Sequence, residues 1–586
     1  MSIKIGIRPI NDGRDSVRYK IEEKAFWMAK EAKKLIEENV YSLDGKPVEC
    51  VIPSHTICNA AEALDVDQDF DKQGIMISLS VTPIFCFGTE TIDMNKTRIK
   101  AIWGNNGTER PGAVYLACAN AAYAERGLPV FSIYGKDVQS ADANTIPEDV
   151  KEKLLLFAKA AVAVSQMKDH SYVSIGGVSM GIAGSYMDPQ VLQEYFGIRA
   201  EWVDMNELNK RMEKGIYDKD EFKLALKWYR DNLNEGEDYY NPVEKHKTRE
   251  EKDKIWETQI KMYLIIRDIL FGNPKLAEEG FYEESLGKKA IAGGFQGQRN
   301  WTDYMPDNDF GETFLSSSFD HNGIKAPVPF ATENDHLNAL SMMMGTLLTN
   351  RATIFADVRT FWSPESVKEA TGQTLTGIAK NGFIHLNNSG AAALDGAAEM
   401  KENGKRVMKE WFKVTDEDIK NTLKNSSFHP ANLEYFKGSG FSTHYVTRAE
   451  MPVTMIRLNR AYNQGPVLQV VEGWSVDLDK KISDPIEMRT DRCWPSTFFV
   501  PRLNDTPACK DVYNVMAYWG ANHCALAYGH IGKELLALAS MLRIPVSMHN
   551  IADDEIFRPH MWDAFGANDK TGADYRACKA LGPLYK

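Results

Sequence analysis

Short apolar runs of about five residues alternate with amphipathic stretches along the first 170 residues. Positions 3–7 read as a strand, and Val17, Ile21, Ala25, Met28, Ala32 and Leu35 then recur at helical spacing. The same patterning predicts strands at 48–52, 74–83 and 129–134 and a helix at 112–126. Strands alternating with helices in this way predict a doubly wound α/β domain over 1–170. A second α/β domain is predicted over 171–350. It opens with a strand at 172–175, and Asp188-Pro189 supplies a helix N-cap followed by proline at the first helical position. Residues 204–268 are highly charged and predict a solvated helical insertion. After Arg359 the texture changes to β-rich runs at 454–458, 467–472 and 497–500 separated by Gly, Asn and Asp, so a third, β-rich domain is predicted over 351–586. It closes with a helix near 533–542 and a strand at 544–548. The pattern contains no internal repeat and no low-complexity segment.

One stretch, VPFATENDHLNALSMMMGTLLTNRATIFADVRT, places two carboxylates beside two apolar runs. Positions 328–331 and 352–356 predict short buried strands. Between them Asn334 or Asp335 can cap a helix whose Leu337, Leu340, Met344 and Leu348 form one apolar stripe for a sheet. A strand–helix–strand unit of this length predicts two parallel strands joined by a right-handed crossover. Glu333 and Asp357 then fall at the carboxyl ends of those strands, where open α/β sheets bind ligands. Two acids held that close repel, raise one pKa or share a cation. On spacing alone they also fit a loop-capping acid and a solvated strand-end acid.

Composition narrows the classes. A formal net charge of −12, with no concentrated basic face, argues against nucleic-acid and anionic-membrane partners. The eight cysteines form no CxxC pairs, which disfavours a zinc ribbon or a disulfide framework and suits a reducing compartment. The opening MSIKIGIRPINDGRDSVR lacks an export-type apolar core, and no run approaches 18 uncharged apolar residues, so a cytoplasmic location is expected.

Other clusters offer chemistry. Gly176, Gly177, Gly181 and Gly184 follow a strand, but they read GGxxxGxxG, whereas a dinucleotide fingerprint reads GxGxxG; a tight loop is expected and no nucleotide cofactor. In WGANHCALAYGHI, His523 and His530 would share a face if the segment were helical, and a neutral imidazole beside two carboxylates makes a shell for Mn²⁺, Mg²⁺ or Co²⁺. His336, one turn from Glu333, is a competing ligand, and His549 could also point into a site. Three glycine-flanked loops carry Gln296 and Gln298, Asn388 and Ser389, and Tyr435, groups that suit a polyol, and the flat face of Trp494 suits a sugar's C–H surface.

The segments ATEND, IFADVRTFWSPE, GGFQGQRNWTD, GGVSMGIAGS, AIWGNNGTERPGAVYLA, GWSVDL, WGANH and the terminal GPLYK closely resemble the L-fucose isomerase family, over essentially the whole chain from Arg8 onward. The resemblance implies two α/β N-terminal domains, a C-terminal domain with a barrel-like portion, and a homohexamer. It implies a Mn²⁺-dependent enzyme that interconverts L-fucose with L-fuculose and D-arabinose with D-ribulose. By motif matching, Glu333, Asp357 and His523 resemble the metal ligands, and the two acids also resemble the proton acceptors. Gln296, Ser389, Tyr435, Trp494 and Asn522 are implied to contact sugar. Arg14 and the VTPIFCFG loop are implied to close a neighbouring subunit's pocket. In that loop this chain carries Phe85 where the family pattern has Trp, a change that keeps the apolar face and loses the indole donor. Two readings from other classes are a non-catalytic sugar-binding protein and a NAD-dependent oxidoreductase.

Overall fold

The computed structural model describes residues 3–586 apart from 110, 141, 389 and 491. The first sheet has five parallel strands in the order Glu49–Val51, Lys4–Pro9, Ile77–Thr82, Ile99–Gly104, Phe131–Ile133. The chain winds outward in both directions from Lys4–Pro9, so helices cover both faces. Met28 of helix Asp15–Asn39 and Phe157 of helix Glu148–Met167 pack with Ile5 and Leu79 on one side. Phe70 and Tyr115, from helices Ala60–Lys72 and Gly112–Glu125, pack with Ile102 on the other.

A second parallel sheet follows, ordered Phe330–Ala331, Ala290–Phe295, Ser171–Ile175, Arg199–Val203. The charged stretch between its strands Arg199–Val203 and Ala290–Phe295 is helical as expected, over Asn206–Lys214, Lys219–Asn232 and Arg249–Phe271, but it is not simply a solvated insertion. Trp256, Ile260, Tyr263 and Leu264 of the last helix recur at helical spacing and belong to the same core as Val173 and Phe295, so this helix forms one wall of the second domain's core.

The third region is built on antiparallel strands. Pro452–Ala461, His523–Tyr528, Ile354–Trp362, Phe383–Asn387, Ser496–Pro501 and Gly465–Ser475 pair in that order, and the last pairs back onto the first, closing a six-stranded ring. Val546–His549 adds in parallel to Gly465–Ser475. The expected α/β class with a β-rich, barrel-like C-terminal part is therefore the observed one.

The crossover unit around the two acids is not. Phe330–Ala331 is a two-residue edge strand of the second sheet, whereas Ile354–Trp362 lies in the ring, antiparallel to both neighbours. Asp357 sits within that nine-residue strand and not at its carboxyl end. The helix between them, His336–Thr349, is buried at every position because it is wedged between the second domain and the ring. Its Asn338 Nδ2 donates to the carbonyl of Cys524 at 3.1 Å, and its Ser341 Oγ accepts from the Leu458 amide at 2.8 Å. A helix buried all round carries no single apolar stripe, which is why helical spacing alone misplaced its partners.

All eight cysteines are free thiols, seven of them buried. Among the described residues no helix is long and apolar enough to cross a membrane.

Candidate active site

Glu333 follows the edge strand in a tight turn, with φ +57°, and Asn334 follows at φ +51°. Two consecutive non-glycine residues in the left-handed region store backbone strain of about 1–3 kcal/mol each, tolerated where surrounding bonds over-determine them. Asn334 supplies those bonds. Its Nδ2 donates to Ser174 Oγ at 2.7 Å and to the Gly177 carbonyl at 3.0 Å, and its Oδ1 accepts from the Tyr172 hydroxyl at 2.9 Å. Gly294 makes room, since a Cβ there would fall 2.7 Å from Asn334 Oδ1.

Asp335 then performs two jobs. Oδ1 accepts from the Asn338 amide at 3.0 Å and caps the buried helix, while Oδ2 receives both Arg457 Nη1 and His523 Nδ1 at 2.7 Å. Of the two residues that could cap, Asp335 does so. Asp335 and Arg457 are both fully buried, so this pair fixes charge inside the molecule.

Strand pairing brings the other acid alongside. Asp357 is directly opposite His523, so both side chains share a face of the sheet, and Phe355 on that face packs its ring at a tilt against the His523 ring, 4.8 Å between centroids. With Nδ1 bonded to Asp335, Nε2 of His523 points between the acids, 3.5 Å from Glu333 Oε2 and 3.4 Å from Asp357 Oδ1. His523 thus begins a strand; the helical placement that would have paired it with His530 is incorrect. His530 Nε2 instead contacts the Gly473 carbonyl at 2.8 Å and its ring packs on Trp474. His336 points into the second domain, between the Met187 amide and Ser174 Oγ, and burial lowers its pKa to about 4. His549 accepts from the Ile551 amide two residues on. Neither joins the site.

The site is rich in carboxyls. Burial raises the Asp357 pKa to about 6, with Glu333 adding to the rise against the pull of His523 and Arg359. Burial also raises Asp309, which faces Glu333, to about 7, and holds Glu312, bonded to Thr332 Oγ1 at 2.7 Å, well above the carboxylate range. Burial opposes charge on His523, but Asp335 and Glu333 outweigh it and raise its pKa to about 10. Asp335 is brought down to about 2, burial being overcome by Arg457 and His523.

Among the described residues no three His, Cys, Asp or Glu side chains form a ready-made metal cage. What Glu333, Asp357 and His523 provide is a looser trio of oxygen and nitrogen donors. Asp357 Oδ1 is buried without a hydrogen-bond partner among the described residues. A divalent cation fits this trio on two grounds: it would satisfy that orphaned oxygen, and it would neutralise the Asp357 carboxyl, whose pKa burial and the neighbouring Glu333 raise. Asp335 on Nδ1 leaves Nε2 to serve as ligand, the arrangement of a carboxylate–histidine–metal relay.

The sugar-contact candidates distribute unevenly. Asn522 Nδ2 lies 3.0 Å from His523 Nε2. Gln296, just past strand Ala290–Phe295, accepts from the Gly177 amide at 2.7 Å. Trp494 is buried with its Nε1 unpartnered among the described residues, and half-exposed Tyr435 stands 6.2 Å from it, ring to ring. Ser389 lies outside the described residues. Arg14 and Phe85 belong to the first domain; Arg14 turns its guanidinium onto Asp12 at 2.6 Å, and Phe85 is 44% exposed. Neither has a hydrogen bond or ion pair to the trio within the chain.

The glycine-rich 176–184 loop is engaged by Asn334 and Gln296 at Gly176 and Gly177, so these two glycines serve the packing of this site. Sequence reasoning passed over Asn334, Asp335 as orienter of His523, Arg457, and Arg359, whose Nη1 is 3.4 Å from Asp357 Oδ2 and whose guanidinium lies over Trp494. A lone arginine inside the apolar run TMIRL was the available signal for Arg457, because a buried arginine requires a buried acid.

Three family models match the chain. They are the L-fucose isomerase first N-terminal domain over 2–169, its second N-terminal domain over 170–350 and its C-terminal domain over 386–549. Curated relatives align over their whole length. L-fucose isomerases from Bacteroides thetaiotaomicron and Phocaeicola vulgatus are each 54% identical over 587 residues, covering 100% of this chain and 99% of the relative. One from Streptococcus pneumoniae is 52% identical over 584 residues with the same coverage. On these matches and this architecture, the chain is an isomerase and belongs to the L-fucose isomerase family.

Proposed function

We propose that the chain interconverts L-fucose and L-fuculose, and D-arabinose and D-ribulose, with Glu333, Asp357 and His523 holding Mn²⁺, for which Mg²⁺ or Co²⁺ can substitute. The observation that carries this reading is the convergence of Glu333 Oε2 and Asp357 Oδ1 on His523 Nε2, at 3.5 and 3.4 Å. When bound, the cation supplies Lewis-acid stabilisation of negative charge on the sugar's O1 and O2. Isomerisation moves the C2 proton to C1 and the O2 proton to O1. One carboxylate takes the proton from C2 and returns it to C1, while the other passes the hydroxyl proton, through an enediol. The raised pKa of Asp357 suits a group that must accept and release a proton near neutrality. Asp335 and Arg457 hold His523 in one tautomer and orientation. Gln296, Ser389, Tyr435, Trp494 and Asn522 contact the sugar.

The enzyme works as a homohexamer in the cytoplasm, where eight free thiols suit the reducing environment. Arg14 and Phe85 reach the pocket of a neighbouring copy, a reading supported by their exposure on the first domain, where Phe87 is exposed as well.

The test is a Mn²⁺-dependent ketose assay over a panel of aldoses, run on the native chain and on Glu333→Gln and Asp357→Asn. Each variant is expected to lose at least about 10²–10⁴-fold in kcat with its fold intact; near-native turnover in either would overturn the assignment. In D₂O, deuterium at C1 of ketose formed from aldose distinguishes the enediol route from a hydride shift between C1 and C2, which incorporates none.

A further inference from the structure

The catalytic trio gathers at the carboxyl ends of the second sheet, where Ile175, Phe295 and Ala331 lead into Gly176, Gln296 and Glu333. At the opposite, amino-terminal edge of the same strands lies a cavity of about 720 Å³, between the first and second domains. That volume is in the range of small-molecule sites. Much of its wall is apolar, with Leu43, Phe271, Ile291 and Val328 on it. Set into this wall are the cationic side chains of Lys168, Lys289, Lys325 and Arg267, against a single lining acid, Asp44.

The charges on this wall are unbalanced. Arg267 is already matched by Glu221 in a bidentate pair at 2.5 and 2.6 Å, and Asp44 by Ser42 and Lys46. Lys168, Lys289 and Lys325 have no carboxylate within ion-pair distance among the described residues. The Lys325 ammonium is fixed by the carbonyls of Leu315 and Ser317, at 2.9 and 2.7 Å. Asp320 and Asp395 face it from farther off, and Asp320 accepts the Tyr263 hydroxyl at 2.5 Å. A second observation is independent of charge. Gln166, 8% exposed and lining the cavity, bonds the Leu43 amide through Oε1 at 2.6 Å, which leaves its Nε2 with no partner among the described residues. Lys168 Nζ meets Met76 Sδ at 3.9 Å. A buried amide donor without an acceptor, beside ammonium groups that no nearby carboxylate neutralises, calls for an anion.

We propose that this cavity is a second binding site, for a small organic anion with an apolar body. Lys168, Lys289 and Lys325 hold its charged group, Gln166 Nε2 is a further donor, and the Leu43 and Ile291 side packs its apolar part. Residues of both N-terminal domains line the cavity, so an occupant ties the two together at a point separated from the sugar by the length of the strands.

The probe is 1-naphthalenesulfonate, titrated by calorimetry into the assembled, Mn²⁺-loaded enzyme; a sulfonate is a poor ligand for the catalytic metal. Saturable binding of one probe per chain is expected, unaffected by saturating L-fucose. Sulfate alone and 1-naphthol alone should bind at least tenfold more weakly. A Lys168→Gln, Lys289→Gln double variant should keep isomerase activity and lose at least tenfold in probe affinity, while Lys168→Arg with Lys289→Arg keeps it. Absence of saturable binding, equal affinity in the Gln double variant, or displacement of the probe by L-fucose would each overturn the proposal.

Discussion

At the scale of single residues, the site depends on groups that never reach the sugar. Asp335 sets the tautomer of His523 and the direction of Nε2. Replacing it with Asn keeps the volume and removes the charge that holds the imidazole and Arg457 together. Outer-shell changes of this kind cost about 10–100-fold in metal affinity, so Asp335→Asn should weaken Mn²⁺ binding by that factor in a calorimetric titration. Asp357 shows the cost of gathering acids. Its folded pKa of about 6 lies above the ordinary value of 3.8, so between pH 4 and 6 the unfolded chain releases this proton while the folded chain keeps it. Stability of the metal-free protein therefore falls as pH rises through that window and stays reduced above it, by an amount on the order of 1–3 kcal/mol. Asp357→Asn removes the ionisation. Metal-free Asp357→Asn should melt higher than the metal-free parent at pH 7.5 and no higher at pH 4, in paired thermal scans. A variant that melts lower at pH 7.5 would show that Asp357 carries no such penalty.

At the scale of elements, the turn that carries Glu333 is held by Asn334 and not by helical propensity. Asn334→Ala removes the bonds to Ser174, Gly177 and Tyr172 and strands the Tyr172 hydroxyl in the interior, at about 1–3 kcal/mol, while Ser174 Oγ keeps the Gly176 carbonyl and His336 Nε2. A lower melting temperature is expected, together with a fall in kcat larger than any change in KM, because in the proposed mechanism the displaced Glu333 acts on the reacting atoms. A variant with reduced stability and native kcat would separate the turn from catalysis. This turn also marks where sequence patterning stops being informative. Alternation placed most outer strands to within a few residues, and Glu333 was correctly put just past a strand. Patterning could not reveal that Phe330–Ala331 and Ile354–Trp362 belong to different sheets, because a short buried run reads alike in a parallel sheet and in a closed antiparallel ring. The pairing of Asp357 with His523 is a register between strands 166 residues apart, which no local window contains. His523 was one of several candidate histidines and was singled out through the resemblance of its GANH motif, since an imidazole at the start of an apolar strand has no periodic signature. Arg457 and Asp335 were visible only as oddities, a charge in an apolar run and an acid at a helix cap.

At the scale of the whole molecule, the first domain raises a question that one chain does not answer. Among the described residues its exposed Arg14, Phe85, Phe87 and Met94 have no hydrogen bond or ion pair to the trio proposed as catalytic, which lies at the junction of the second domain and the ring. If Arg14 serves a neighbouring copy, each active site is assembled from two chains, and defects in the two contributors are separable. An Arg14→Ala chain keeps a sound trio but fails its neighbour; a Glu333→Gln chain has a dead trio but still offers Arg14. Homo-oligomers of either should have low turnover. Co-refolded in equal amounts, they should form hybrids in which about one site in four combines an intact trio with an intact Arg14, and activity should recover toward that fraction. If Arg14 acts within its own chain, no pairing of these two defects restores a site, and the mixture should show only the average of the two parents. The same mixing experiment with Phe85→Ala in place of Arg14→Ala assigns the aromatic side of the loop, and a change in the ratio of L-fucose to D-arabinose turnover in those hybrids would locate its contact at the end of the sugar where the two substrates differ.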